Sequence, residues 1–371
     1  MKICFISTGD FATIKRATGM ATPLLEKGYE VAIVALDSEK NRKRFALECP
    51  NAIILYFSEG NAKQEIAQKK ELVKLWQPDL VYVCAFVSRN FIHKKNIKIG
   101  KKTVFVIEHS ELRSAIQDNV WYKKIIDYCL EWSTVFLFDG QILASSYLES
   151  LFKNKLKKIG RKQPLLYSTY AYHEKVLLSN PFLLDKLKEE YEGKKVILYM
   201  GTLAINYGFL DILKSVQVLK KQRKDFVILI MGAGRHKEIA KNYVEENNLT
   251  DFVKLLGYVP EEELSSYFKV ADAFVSPIFD TVQDKARCPS KLFMYIPFQK
   301  PIITCKIGEG KELFGKNGYY YQPGKVEELA DVLSNAIDST ELKYNIDPQN
   351  HSWKYRTDEF LNWIEANFNL K

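Results

Sequence analysis

The chain of 371 residues is short of cysteine, of long apolar runs and of metal-type clusters, and each shortage excludes something. Its 6 Cys (4, 49, 84, 129, 288 and 305) are scattered with no CxxC spacing. That excludes a small disulfide scaffold and predicts reduced thiols that fill the core. With 18 Gly, 12 Pro and 47% apolar residues, the composition is globular, not collagen-like or disordered. The longest apolar runs, such as Leu80–Val87, fall far short of the ~20 residues that a membrane-spanning helix needs. Met1–Ile6 has one Lys and a brief apolar run that ends before Asp10, unlike a signal peptide. There is no zinc-finger spacing, no RNP-type aromatic motif, no metal-type clustering of His, Cys, Asp and Glu, and no repeat of 20–50 residues. What remains is a cytoplasmic, multi-domain protein. At roughly 100–200 residues per domain, its length predicts two or three of them.

What is present in excess is positive charge, and it lies in one half. Residues 1–170 hold 27 Lys+Arg against 17 Asp+Glu, a net of +10, whereas residues 171–371 hold 27 against 28. The excess concentrates in His93–Lys102 (HKKNIKIGKK) and Lys153–Lys162 (KNKLKKIGRK), neither of which contains an acid. Either run alone reads most simply as a solvated loop. Both together, confined to one half, point to a polyanionic surface as partner. With no nucleic-acid motif in the chain, no nucleic acid is expected. The expected surface is an anionic membrane, near which each basic residue is worth ~1 kcal/mol.

The first half alternates strand-like and helix-like segments. Lys2–Ser7, Glu30–Leu36, Ile53–Phe57, Leu80–Ala85 and Thr103–Ile107 read as short buried strands. Ile14, Ala17, Ala21, Leu24 and Leu25 recur at helical spacing until Gly28, and Ala62–Trp76 forms a second helix that stops before Pro78. Strands joined through helices require right-handed crossovers and a parallel sheet covered on both faces. The pattern loosens around Asn180-Pro181, which predicts a linker over 176–194 between a first domain, 1–175, and a second, 195–345. The second domain runs through strands Lys195–Met200, Phe226–Met231, Val253–Leu256, Ala273–Ser276 and Pro301–Thr304. Its helices are Phe209–Gln222, His236–Asn247, Glu261–Lys269, Pro289–Ile296 and Val326–Ile337. The fold class is α/β, with two Rossmann-like doubly wound domains. Ligands of such sheets bind at the strand C-termini, so the expected site is a cleft where the two sets of ends face each other.

Five segments of the second half are specific in their order: Tyr199–Gly208 (YMGTLAINYG), Met231–Arg235 (MGAGR), Val253–Pro260 (VKLLGYVP), Ala271–Pro277 (ADAFVSP) and Pro289–Pro301 (PSKLFMYIPFQKP). Gly318–Ala336 (GYYYQPGKVEELADVLSNA) follows them. Together they resemble the C-terminal domain of glycosyltransferase family 4, whose fold is GT-B. The first half resembles that family more loosely, through its opening strand and loop, Glu26–Val31 (EKGYEV) and the segment Glu108-His109-Ser110-Glu111. The resemblance implies a nucleotide-sugar donor on the C-terminal domain and the acceptor on the N-terminal domain. It implies transfer with retention at the anomeric carbon, and no metal or cofactor beyond the nucleotide-diphosphate sugar as co-substrate. It also implies that residues 346–371, with Trp353, Tyr355, Phe360 and Trp363, form a helix that crosses back to the first domain.

The residues fit that chemistry in part. A glycine turn entering a helix brings backbone N–H groups and a positive helix end to a phosphate, and Gly9, Gly201, Thr202 and Gly232 stand at such turns. Arg287, Ser290 and Lys291 surround a helix start marked by Pro289, where a diphosphate would find N–H donors and two cations. The plainer alternative is surface charge beside an ordinary helix. Lys15 or Arg16 reads either as reaching the cleft or as the outer face of the first helix. Tyr258, in Gly257-Tyr258-Val259, would offer backbone groups to a nucleobase. His109 ends a strand, where a neutral ring would donate to a hydroxyl or phosphate and a cationic ring would stabilise developing charge. Glu108 or Glu111 beside it would take the acceptor proton, unless the group is only a hydrogen-bonded loop cluster.

Two departures stand against the resemblance. Thr202 and Tyr207 occupy places where the family usually has basic residues, and Ala286 and Met294 occupy those of its two glutamates, the second of which binds the donor ribose. A thioether cannot accept the bonds that a carboxylate does, and Asp280 and Asp284 are the nearest substitutes. The expectation is a retaining glycosyltransferase that passes sugar to a polysaccharide or lipid-linked oligosaccharide at the inner face of a membrane. The alternative is a catalytically silent GT-B protein that binds sugar or steadies a partner transferase. A fold-sharing epimerase lacks support, for want of a catalytic acid pair.

Overall fold

Runs of Ile, Val and Phe too short for helices become the strands of two wholly parallel sheets. The computed structural model describes residues 1–9 and 15–370; Asp10 and Ile14, used in the sequence reading, lie outside them. The chain divides into two units. Unit 1 consists of Met1–Ala171, Ala286–Cys288 and Ser352–Lys371, and unit 2 of Tyr172–Lys285 and Pro289–His351.

Unit 1 runs β1 (Lys2–Ile6), α1 (Lys15–Glu26), β2 (Glu30–Leu36), α2 (Glu39–Glu48), β3 (Ile53–Phe57), α3 (Ala62–Trp76), β4 (Leu80–Val83), β5 (Val104–His109), α4 (Trp121–Leu137), β6 (Gly140–Leu143), α5 (Ser146–Lys158) and β7 (Leu165–Tyr167). Its 7 strands lie in the order β3-β2-β1-β4-β5-β6-β7, so the winding reverses between β1 and β4. In register, Ile3 sits between Val31 and Leu80. Successive strand residues point to opposite faces, so Ile3 and Phe5 go to one layer and Cys4 and Ile6 to the other. Five of the six thiols are buried, and Cys129 is exposed.

Unit 2 begins with α6 (Pro181–Glu190), capped by the Asn180 side chain, which accepts from the Leu183 N–H at 3.2 Å. Residues 176–194 thus contain a helix packed within unit 2, where Ser266 Oγ donates to the Asn180 carbonyl at 3.2 Å. There follow β8 (Lys195–Met200), α7 (Phe209–Gln222), β9 (Phe226–Met231), α8 (Lys237–Glu246), β10 (Val253–Gly257), α9 (Glu261–Val270), β11 (Ala273–Ser276), α10 (Val282–Ala286), α11 (Ser290–Tyr295), β12 (Ile302–Thr304), α12 (Gly308–Phe314), β13 (Tyr319–Tyr320) and α13 (Val326–Ile337). The 6 strands are ordered β10-β9-β8-β11-β12-β13, again with the switch beside the first strand of the unit. Alternate residues of β8 and β9 (Ile197, Tyr199, Ile228, Ile230) pack under α7 and α13 through Phe209, Leu213, Leu329 and Leu333.

The last helix, α14 (Trp353–Phe368), belongs to unit 1. Trp353, Phe360 and Ile364 join the layer containing Phe5 and Tyr82, and a Cβ at Gly19 of α1 would overlap the Trp353 indole. Among the described residues no helix is long and apolar enough to cross a membrane.

Candidate functional site

In unit 2 the carboxyl ends of three neighbouring strands are laced together by backbone. The Gly201 N–H donates to the Met231 carbonyl at 2.9 Å, that of Leu203 to Ala233 at 3.0 Å, and that of Gly232 to Gly257 at 2.6 Å. Gly232 has φ +133, and a Cβ there would fall on the Gly201 carbonyl oxygen. Only glycine meets both conditions. The side chain that arrives over this turn comes from α11. Lys291 Nζ lies 4.3 Å from the centroid of the Tyr199 ring and 3.0 Å from where a Gly201 Cβ would be. Tyr295, one helical turn further on, accepts the Met200 N–H on its hydroxyl at 2.9 Å and stacks on Phe274 at 4.3 Å. Lys291 and Tyr295 are spaced i, i+4 and share a helix face, which fixes α11 on the end of β8. A cation over a glycine turn at the end of a parallel strand is equipped to meet an anionic oxygen.

The structure thus brings Gly201, Gly232, Ser290 and Lys291 into one unit, with Thr202 exposed beside them. Arg287 belongs to unit 1 instead, as part of Ala286–Cys288. Tyr258 follows β10 with 71% of its surface exposed. Ser290 opens α11, but that helix has only 6 residues, so its dipole is slight.

The missing carboxylates have a physical reason at one position. Ala286 is fully buried among Leu112, Val135, Leu143 and Phe152, and its carbonyl accepts from Ser145 Oγ at 2.8 Å. A glutamate there would be taken out of water into an apolar cluster, at a desolvation cost. Met294 is half-buried on α11. Asp284 accepts from the Phe279 N–H at 3.2 Å, and Asp280 pairs with Lys285 at 2.5 Å, so both acids are engaged locally.

In unit 1 the strand β5 ends Glu108-His109, and adjacent strand residues face opposite ways. His109 is 1% exposed, between Phe86 (ring centroids 5.2 Å apart) and Phe152 (4.5 Å). Its Nε2 is 3.0 Å from Gln141 Oε1. The Gln141 amide nitrogen already donates to the Thr134 carbonyl at 3.1 Å and to Gln163 Oε1 at 3.2 Å, so its oxygen accepts and His109 carries its proton on Nε2. Nδ1 is buried without a hydrogen-bond partner among the described residues. Burial, then the Lys155 charge, pull the ring's pKa down to about 3. The cationic role considered from the sequence is therefore closed near pH 7, and the neutral one stays open. Lys155 is itself buried over Phe152, with Nζ 4.5 Å from the ring centroid, and burial lowers its pKa to about 8 against the opposing pull of Glu131.

Glu108 lies on the other face, 2% exposed. Its Oε2 is 3.0 Å from Arg16 Nε and accepts from the Tyr82 hydroxyl at 3.1 Å. Arg16 also donates to Ser168 Oγ at 3.1 Å and to the Ser168 carbonyl at 2.9 Å, between the Tyr170 and Trp353 rings. Arg16 is thus an interior residue, neither of the two placements read from the sequence, and it holds the Glu108 carboxylate. Glu111 is half-exposed and 3.5 Å from Arg113. Gly9 has φ +68, and its carbonyl accepts from Asn41 Nδ2 at 3.3 Å. Among the described residues no group of three or more His, Cys, Asp and Glu is placed to hold a metal ion. Sequence reasoning missed Tyr199, Tyr295, Gln141 and Lys155. Of these only Tyr295 left a signal, the i, i+4 spacing from Lys291.

Solved proteins share this architecture along almost the whole chain. Anabaena HepE in complex with UDP-glucose superposes with a TM-score of 0.68 at 12% identity, covering 99% of this chain and 95% of that one. A TarM mutant of S. aureus, in complex with fondaparinux, alpha-GlcNAc-glycerol and UDP, gives a TM-score of 0.72 at 10% identity, covering 98% and 99%. The fold is therefore GT-B, with two Rossmann-like α/β domains. Residues 184–353, somewhat under half of the chain, match the family model described as Glycosyl transferases group 1. The amylovoran biosynthesis glycosyltransferase AmsK of Erwinia amylovora is 26% identical over 151 residues, 40% of this chain and 37% of that protein. The 2-deoxystreptamine N-acetyl-D-glucosaminyltransferase of Niallia circulans is 23% identical over 171 residues, 44% and 43% of the two chains. The chain spans less than half the length of these curated relatives. It carries a glycosyl transferases group 1 segment within a GT-B fold.

Proposed function

We propose that the protein is a retaining, metal-independent glycosyltransferase, with a nucleotide-diphosphate sugar as donor and a growing polysaccharide or lipid-linked oligosaccharide as acceptor. The observation that carries this reading is the laced glycine end of β8 and β9 beneath Lys291, inside the segment that matches the group 1 family model. The UDP and UDP-glucose held by similar structures support a nucleotide donor. In this reading the diphosphate lies against the Gly201 and Gly232 turns. Lys291 balances the charge that grows on the leaving phosphate.

The bond from the anomeric carbon to the diphosphate breaks as the acceptor oxygen bonds to the same face, and the acceptor proton passes to a leaving phosphate oxygen. That route needs no protein carboxylate, which suits the engagement of Glu108 by Arg16. The chain's part is positioning and electrostatics. His109 contributes the bare Nδ1 as acceptor for a donor hydroxyl, once the side chains over it part. The acceptor is taken at an anionic cytoplasmic membrane face, a reading supported by the net of +10 on residues 1–170.

Isothermal titration with UDP, GDP, ADP and CMP is the first test, and one of them should bind; failure of all four sinks the reading. Transfer from the matching nucleotide sugar should persist in EDTA. A catalytically silent sugar-binding protein is the second reading, favoured by Ala286 in its apolar setting and by Met294. Turnover that falls in Lys291→Ala would remove it.

A further inference from the structure

Helix α4 is built inside out. Its sequence, WYKKIIDYCLEWSTVFL, has an acidic stripe and an apolar stripe, and the fold buries the acidic one. Asp127, Glu131 and Thr134 turn inward, and Ser114 donates to Glu131 through its N–H at 3.1 Å and its hydroxyl at 2.8 Å. Trp121 is 73% exposed, and Tyr122, Ile125, Ile126 and Phe136 are each more than 40% exposed. With exposed Cys129 and half-buried Trp132 between Ile126 and Phe136, these positions follow helical spacing and form one strip along ~23 Å of helix. Scattered apolar residues on a surface need no explanation, but a continuous strip of them does.

Charge decides what covers the strip. Lys123 and Lys124 stand at one end. At the other, the Arg161 guanidinium lies 5.4 Å from the Phe136 ring, within the acid-free run that also exposes Lys157, Lys158 and Lys162. The two carboxylates of the helix, Asp127 and Glu131, face away from the strip, so neither offsets these cations. A second copy would set its own lysines against them. Tryptophan, tyrosine and isoleucine rimmed by lysine and arginine match the headgroup region of an anionic bilayer, where rings sit at the interface and cations meet phosphates.

We infer that α4 is a membrane-docking helix. It lies in the plane of an anionic leaflet, with Trp121, Ile125 and Ile126 in the boundary between headgroups and acyl chains. The inference rests on the membrane side of the proposed function and names the element responsible.

The full chain should sediment with phosphatidylcholine vesicles that contain phosphatidylglycerol, and much less with phosphatidylcholine alone. Ile125→Glu with Ile126→Glu should lower partitioning about tenfold or more. Lys157→Gln and Lys158→Gln should lower it about fivefold each. All four side chains are exposed, so melting temperatures should hold. Lipids brominated in the acyl chain should quench tryptophan fluorescence in the parent protein and less in Trp121→Phe. Undiminished anionic binding in the double-glutamate variant overturns the role of α4 and leaves the membrane reading standing. Equal partitioning of the parent with both vesicle types overturns both. A concentration-dependent dimer in ultracentrifugation, abolished by the glutamates, assigns the strip to a second copy and overturns the inference. Transfer to a water-soluble acceptor should be unchanged in the glutamate variant, which separates this inference from the reaction itself.

Discussion

The two sheets finish their central strands in opposite ways. At the end of β5 the candidate groups are side chains sunk into the unit, His109 in an aromatic box and Glu108 on Arg16. At the ends of β8 and β9 the turns are closed by backbone alone, and the Lys291 cation reaches over them from a separate helix, α11. The first end is tuned by environment, through burial and neighbouring charge. The second is tuned by space, through the absence of a Cβ. Substitutions should therefore act by different routes in the two places.

The harshest break is at the first end. Glu108→Ala leaves the Arg16 charge buried without its partner and should cost about 3–5 kcal/mol in denaturant unfolding. Glu111→Ala, at a half-exposed pair, should cost under about 1 kcal/mol. Equal losses would erase the distinction between these neighbouring glutamates. Next comes the second end, where Gly232→Ala forces a Cβ against the Gly201 carbonyl at φ +133. It should cost about 3 kcal/mol, with nucleotide binding lost in titration calorimetry; a neutral outcome would deny that space governs this turn.

Titration sharpens the contrast at a smaller scale. The His109 pKa, about 3 when folded, lies below its unfolded value of ~6.5, so the unfolded chain binds more protons between the two. The stability due to the neutral ring is full above the unfolded value. It is lost as pH falls below it, at about 1.4 kcal/mol per unit. Melting between pH 7 and pH 5 should show this slope, and His109→Gln should reduce it to the share of His93 and His173, whose pKa values burial also lowers. The smallest effect belongs to Lys291→Met, which should weaken nucleotide binding about tenfold with little change in melting temperature. A large drop in stability there would make Lys291 a packing residue over Tyr199.

The sequence made some of this legible. Glu30–Leu36, Lys195–Met200 and Phe226–Met231 read as strands with the observed bounds, because they are short apolar runs bounded by polar residues. Ala62–Trp76, Phe209–Gln222 and Val326–Ile337 read as helices for their 3.6-residue period. Strands β6 (GQIL) and β7 (LLY) escaped notice, since so few residues, one of them Gln, set no alternation. Helix α4 went unread although its apolar stripe keeps the helical period, and only the folded unit shows that this stripe faces outward. At the site, Pro289 marked the start of α11, and the glycine turns announced themselves. The surroundings of His109 did not, because Phe86, Gln141, Phe152 and Lys155 come from separate elements and meet only in the folded unit. The buried partner of Glu108 was invisible for the same reason.

The return of α14 to unit 1 sets an order of events on the ribosome. Unit 2 is an insertion, complete when His351 has emerged apart from the short passage of Ala286–Cys288. The core of unit 1 contains Trp353, Phe360, Trp363 and Ile364, which leave the exit tunnel after all of unit 2. The unit synthesised first is the unit finished last.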